Sequence, residues 1–183
     1  MITKDEFQLV VARDSNGDAH YLKLLNLRWS PAGVEYDIES LRSSANRLRS
    51  EPEFLSAIFR GAGNWRDTLV GCACLLLSGE RKYFKDLIEC FEHGSFVSPQ
   101  VAVTLGLLHP KESKPAFAAL LRNQDSCRSA KDVVSAQRVL ERLGVLGELD
   151  VQLTDWPGRE QDDATVANQV VIKHWSFWAP YVQ

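Results

Sequence analysis

The chain lacks any excess of positive charge. Its 183 residues hold 21 Lys and Arg against 24 Asp and Glu, a formal net charge of −3. Proteins built mainly to grip nucleic acid carry a basic footprint, so this balance argues against that class. A long apolar run is also missing. The longest uncharged stretch, between Glu92 and Lys111, is interrupted by His93, Ser95, Ser98, Pro99, Gln100, Thr104, His109 and Pro110. It is too polar to span a membrane. The opening residues, Met1-Ile2-Thr3-Lys4-Asp5-Glu6, hold no apolar core of the kind a signal peptide needs. The four cysteines, Cys72, Cys74, Cys90 and Cys127, form no CxxC pair, and no Asn-x-Ser/Thr acceptor occurs. The expected location is therefore cytoplasmic. HExxH, GxSxG and EF-hand patterns are absent, so no metal, cofactor or catalytic residue is expected.

What is present is an ordinary globular composition, 45% hydrophobic and 25% charged. The length suits a single domain over 1–183. Three zones divide it. Residues 1–36 read as a β-hairpin. Phe7-Gln8-Leu9-Val10-Val11-Ala12 and Tyr21-Leu22-Lys23-Leu24-Leu25-Asn26-Leu27 are the strands, with Asn16-Gly17 at the turn. Residues 37–144 read as helices. Ser50 with Glu53 and Asn64 with Asp67 suggest capping boxes. Ser98-Pro99 offers an N-cap followed by proline. Gly79, Gly94 and Gly144 stand where helices would stop. These signals predict helices over 38–49, 52–60, 66–78, 81–93, 98–108, 112–122 and 130–143. Residues 145–183 read as an acidic segment followed by a capping helix with an apolar-aromatic face, Val166, Val170, Val171, His174, Trp175 and Trp178.

The helical zone repeats itself. Val70 precedes Val101 by 31 residues, and Phe84-x-x-Leu87-Ile88 precedes Phe117-x-x-Leu120-Leu121 by 33. Val133 follows Val101 by 32, while Phe54 and Ile58 stand 30 before Phe84 and Ile88. A drifting period of this length, two short helices per unit, is what an α-solenoid produces. The stretch Val101-Ala102-Val103-Thr104-Leu105-Gly106-Leu107-Leu108-His109-Pro110, with Pro115-Ala116-Phe117-Ala118-Ala119-Leu120-Leu121 after it, is similar to a short HEAT-type repeat. It departs from that pattern in carrying Ala102 where an arginine often stands. The resemblance implies a mainly α fold, a HEAT-like α-solenoid of about three helix pairs with the N-terminal β-hairpin attached. It also implies a superhelical surface of the kind that family mostly uses to hold partners.

Residues with reactive side chains give no chemistry by themselves. Gly61-Ala62-Gly63 lacks the third glycine of a dinucleotide loop and reads as a helix–helix turn. Cys72 and Cys74 lie about 200° apart around a helix, so they face away from each other and read as core residues. His20, His93, His109 and His174 match no ligand spacing. His93 and His109 fall at helix ends, where the dipole favours a cation. Arg42, Arg47, Arg49, Arg60 and Arg66 are interleaved with Glu39, Glu51, Glu53 and Asp67, as on a solvated face.

The concentrated feature is acidic. Glu148, Asp150, Asp155, Glu160, Asp162 and Asp163 face one opposing Arg159 within 148–163, a net of −5. With the whole chain at −3, the remaining residues sum to +2. Of Trp29, Trp65, Trp156, Trp175 and Trp178, Trp156 sits inside this acidic segment and reads as an interface anchor. The expected partner-binding residues are thus Asp155, Trp156, Glu160, Asp162 and Asp163. The expected function is that of a non-enzymatic protein-binding module, a stoichiometric inhibitor of a basic toxin or effector. It resembles bacterial immunity proteins in kind only, without a motif of theirs. The alternatives are a scaffold subunit of a larger assembly and a helical-repeat enzyme acting on nucleic acid or protein.

Overall fold

Among the residues described in the computed structural model, 19–28, 33–62, 64–122, 129–145 and 159–182, the chain forms nine α-helices and no strand. They are α1 (His20–Asn26), α2 (Val34–Arg49), α3 (Pro52–Ala57), α4 (Trp65–Ser78), α5 (Phe84–His93), α6 (Ser98–Leu108), α7 (Pro110–Arg122), α8 (Ala130–Arg142) and α9 (Arg159–Trp178). A π turn, Ile58–Ala62, extends α3, and a short 3₁₀ turn, Ala179–Tyr181, follows α9. Every helix expected between 38 and 143 is present.

The start and stop chemistry explains these bounds. Asn64 Oδ1 accepts from the Arg66 N–H at 2.8 Å, and Asp67 Oδ2 accepts from the Asn64 N–H at 2.9 Å, closing the expected capping box on α4. The other expected box is not used: α3 begins at Pro52 with Glu51 in the cap position. Ser98 is one residue inside α6, and its hydroxyl accepts instead from the Ser95 N–H at 2.9 Å. Gly79 closes α4 at φ 66° and ψ 17°, a left-handed conformation that costs glycine nothing. Gly61 has φ 95°, which ends the π turn and makes Gly61-Ala62 part of a helix–helix connection.

The second strand of the expected hairpin is corrected. Residues 20–26 are helical, and the first strand and its turn lie outside the described residues. A strand would put Leu22 and Leu24 on one face. Here Leu24 is 1% exposed and Leu22 52% exposed. Tyr21, Leu24 and Leu25 instead share the face turned to the core, the spacing of a helix.

The packing is layered. α2, α4, α6 and α8 lie side by side, each against the next. α5 packs on the π turn and on α6, and α7 packs on α6 and α8. α1 covers α4, while α9 lies across both α6 and α8. The C-terminal helix thus covers a face as well as the last helix. α4 and α6 are enclosed on all sides, which is why ten of the eleven residues of α6 are buried. One cluster of buried side chains runs from Leu24 to Trp178. Some of the residues that repeat in sequence occupy matched places, whereas Val133 and Phe84 are only half-buried where Val101 and Phe117 are fully buried. Val70 and Val101 are both fully buried in α4 and α6, and Leu87 and Leu120 are both buried in α5 and α7. Phe91 and Phe117 join those two helices edge to face, ring centroids 5.2 Å apart.

Ion pairs tie the layers at their margins. Lys23 Nζ meets the buried Asp37 carboxylate at 2.8 Å, fastening α1 to α2. Arg60 Nε meets Asp86 Oδ1 at 2.7 Å, and the Ser56 hydroxyl donates to the other oxygen of Asp86. Arg49 Nε reaches Glu80 at 2.9 Å. Arg42, Arg49 and Arg60 therefore point to different places. Arg42 stays on the solvated face beside Glu39, at 3.8 Å.

Candidate functional site

The described interior holds polar groups around a small cavity. Between α1, α4, α6 and α9 lies a cavity of about 10 Å³, lined in part by Cys72, Gln100, Thr104, His174 and Trp178. That is the lower limit for one water and far below a ligand pocket. The Gln100 amide donates to Leu25 O at 3.3 Å, and His174 Nε2 lies 3.4 Å from the same oxygen. Lys173 Nζ donates to Asn26 O. These bonds satisfy the free carbonyls at the end of α1 and fasten it to α6 and α9. The His174 imidazole is held down at about 4, chiefly by burial with Lys173 adding to it, while the Leu25 bond opposes both. His109 is likewise buried and held below its usual range, chiefly by burial. It packs on the Phe84 ring at 5.2 Å. The expectation of a dipole-favoured cation at that helix end is therefore corrected: burial opposes the charge. His93 is exposed, and its Nδ1 lies 2.7 Å from Glu89 O, an end cap of α5.

The cysteines face opposite ways, as their spacing requires. Cys74 Sγ lies 3.9 Å from Leu41 O on α2, and Cys72 faces Thr104 on α6. Burial pushes Cys74 up to about 12, Cys90 up to about 11 and Cys72 higher still. Such thiols are poor nucleophiles at neutral pH. Maleimide labelling of Cys72 and Cys74 is expected to run at least ~10³-fold slower in buffer than in denaturant. Even a global stability of ~5 kcal/mol imposes that ratio. Peptide mapping reads it, and labelling of either thiol within minutes in buffer would overturn the assignment. Among the described residues, no group of three or more His, Cys, Asp and Glu is placed to hold a metal ion. None of the described helices is long and apolar enough to cross a membrane.

Two surface features remain. The first is acidic. Glu160 and Asp162 lie on the first turn of α9 and Asp163 directly follows; all three are exposed. Negative charge there complements the helix dipole, so the turn is locally stable as well as charged. The helix behind it is fixed, because Ala164 and Ala167 pack on Ala130 and Val134 of α8, and Val171, His174 and Trp178 enter the core. Asp155 and Trp156, expected beside these acids, lie outside the described residues.

The second feature is an edge that sequence reading missed. Tyr21 of α1, Trp65 of α4 and Phe96 before α6 form a row. Tyr21 and Trp65 meet at 5.6 Å and 88°, and Trp65 and Phe96 at 5.1 Å and 54°. The Arg66 guanidinium lies over Trp65 at 4.6 Å and over Tyr21 at 5.2 Å, while Lys131 Nζ lies 5.6 Å from the Phe96 ring centre. The only local signal for this edge is the Trp65-Arg66 pair behind its Asn64 cap. No protein-family model matches the chain, and neither a curated protein nor a solved structure is significantly similar to it.

Proposed function

We propose that this chain is a non-enzymatic, cytoplasmic protein-binding module that inhibits a basic toxin or effector by stoichiometric occlusion, as an immunity protein does. The observation that carries this reading is the acidic turn of α9: three exposed carboxylates on a helix whose other face is anchored in the core. A rigid charge cluster of this kind steers association without any reactive group. The framework reading, a HEAT-like α-solenoid, draws support from the row α2, α4, α6 and α8 and from the matched burial of Val70 with Val101 and of Leu87 with Leu120. One face of this row is covered by α1 over α4 and by α9 over α6 and α8, which leaves its edges as the more accessible surface.

The test begins with a pull-down that yields one stoichiometric basic partner. The combined Glu160→Lys, Asp162→Lys and Asp163→Lys variant is then expected to associate about tenfold more slowly at low salt. It should also lose most of the salt dependence seen with the parent chain. Stopped-flow association across a salt series reads both. Rates that match the parent at every salt concentration would sink this mechanism. Co-purification with a multi-subunit assembly instead would support the scaffold reading.

A further inference from the structure

We propose that the edge formed by Tyr21, Trp65 and Phe96, with Arg66 and Lys131 on their rings, docks an acidic segment of a partner protein. The inference rests on the protein-binding reading and adds a second contact of opposite sign to the acidic turn of α9.

Exposure sets this edge apart from packing. Phe96 is 61% exposed, the most exposed large apolar side chain among the described residues. A lone exposed apolar residue needs no explanation. Phe96 is not alone, because it ends a row of three touching aromatic rings drawn from α1, α4 and the α5–α6 connection. The row lies where α4, α6 and α8 all begin, so three helix dipoles add positive potential to two cations.

The cations are available. Neither Arg66 nor Lys131 forms an ion pair among the described residues, whereas Lys23, Arg49 and Arg60 do. The acids nearest in sequence are turned inward. Asp67 is 2% exposed and accepts from the Asn64 N–H, and Asp132 is 6% exposed and accepts from the Ser129 hydroxyl. A guanidinium and an ammonium held near ring centres can still direct N–H groups to carboxylates, and the rings supply apolar contact beside them.

The charge pattern selects the kind of partner. Single-stranded nucleic acid would stack its bases on open ring faces, and here a cation already lies over each ring. A uniformly negative strand would also meet repulsion close by. The acidic turn of α9 stands at the same end of α8 as Lys131, because Ala164 and Ala167 cluster with Ala130 and Val134 while Trp175 and Val139 meet further along at Gly106. A protein surface can alternate its charges and so present carboxylates to Arg66 and Lys131 and cations to Glu160, Asp162 and Asp163.

Random 12-residue peptides displayed on phage and selected on the immobilised full chain test this. The expected result is a set of peptides rich in Asp or Glu with one or more apolar residues. Their binding by fluorescence anisotropy should fall at least about fivefold in the Arg66→Glu/Lys131→Glu variant. Phe96→Ala, a change at an exposed position, should weaken them separately, with circular dichroism confirming the fold of both variants. Selected peptides with no acidic enrichment, or equal binding to parent and variants, would overturn the proposal. So would capture of a fluorescent oligothymidylate by the parent but not by the variants, which would make the edge a nucleic-acid site. A separate set of basic peptides, lost only when Glu160, Asp162 and Asp163 are reversed, reports on the acidic turn. Failure of one surface is thereby distinguished from failure of the other.

Discussion

Gly106→Ala is expected to destabilise the chain by about 1–2 kcal/mol, against the sign that helix propensity alone dictates. In an exposed helix interior, alanine in place of glycine gains about 1 kcal/mol. Gly106 is instead the point where three helices meet. A Cβ built on it falls 2.5 Å from Val139 Cγ1 of α8 and 2.8 Å from Trp175 Cζ3 of α9. Carbon atoms in contact prefer about 3.5–4.0 Å, so one neighbour must move by about 1 Å. Val139 is fully buried and cannot simply swing away. Overpacking costs about 1–3 kcal/mol, and two contacts this short put the cost in the upper part of that range, about 2–3 kcal/mol, from which the propensity gain is subtracted. Urea denaturation of the parent, Gly106→Ala, Val139→Ala and the double variant isolates the clash. The double variant should be more stable than the sum of the singles implies, by about 1 kcal/mol. A Gly106→Ala protein as stable as the parent would show that α9 does not seat on α6 this closely.

The same glycine shows how far sequence reading reaches. The Leu105-Gly106 pair belongs to the stretch that resembles a HEAT-type unit, and the helix bounds between 38 and 143 follow from caps, prolines and glycines. Those signals are local, so they are legible. α1 was misread because Tyr21–Leu27 is short, and a short apolar run fits period two nearly as well as period 3.6. What decides it is tertiary: Leu24 finds α4, while Leu22 finds solvent. The same split divides the surface. Glu160, Asp162 and Asp163 are close neighbours in sequence, so counting charge along the chain finds them. Tyr21, Trp65, Phe96 and Lys131 come from four separate elements, and no spacing rule brings them together. The placement of α9 over α6 and α8 was equally invisible. Its apolar face says that it packs, but not on what.

Acidification is expected to unfold the protein largely through His174. Its folded value, about 4, lies below the ordinary histidine value of 6.5. In the folded state the ring stays neutral through a range in which the unfolded chain takes up a proton. The unfolded state therefore binds more protons, and stability falls as pH falls. Above 6.5 nothing is lost. Between 6.5 and about 4 the loss accumulates at about 1.4 kcal/mol per unit, reaching about 3 kcal/mol, and below that it levels off. His109 acts in the same direction, because burial lowers it too. Asp67 acts the other way at the acid end of the window. Burial raises it above its ordinary value, so the folded state takes up its proton first. The His174→Gln variant removes the largest of these contributions. It should be less stable than the parent near neutral pH, where a ring packed between α1, α6 and α9 is lost, yet lose about 3 kcal/mol less on acidification to about pH 4. Chemical denaturation at about pH 7, 5.5 and 4 gives both slopes. Parallel slopes for the parent and His174→Gln would mean that His174 is not held neutral by the α1–α6–α9 contact. The seating of α9 that positions the acidic turn would then need another explanation.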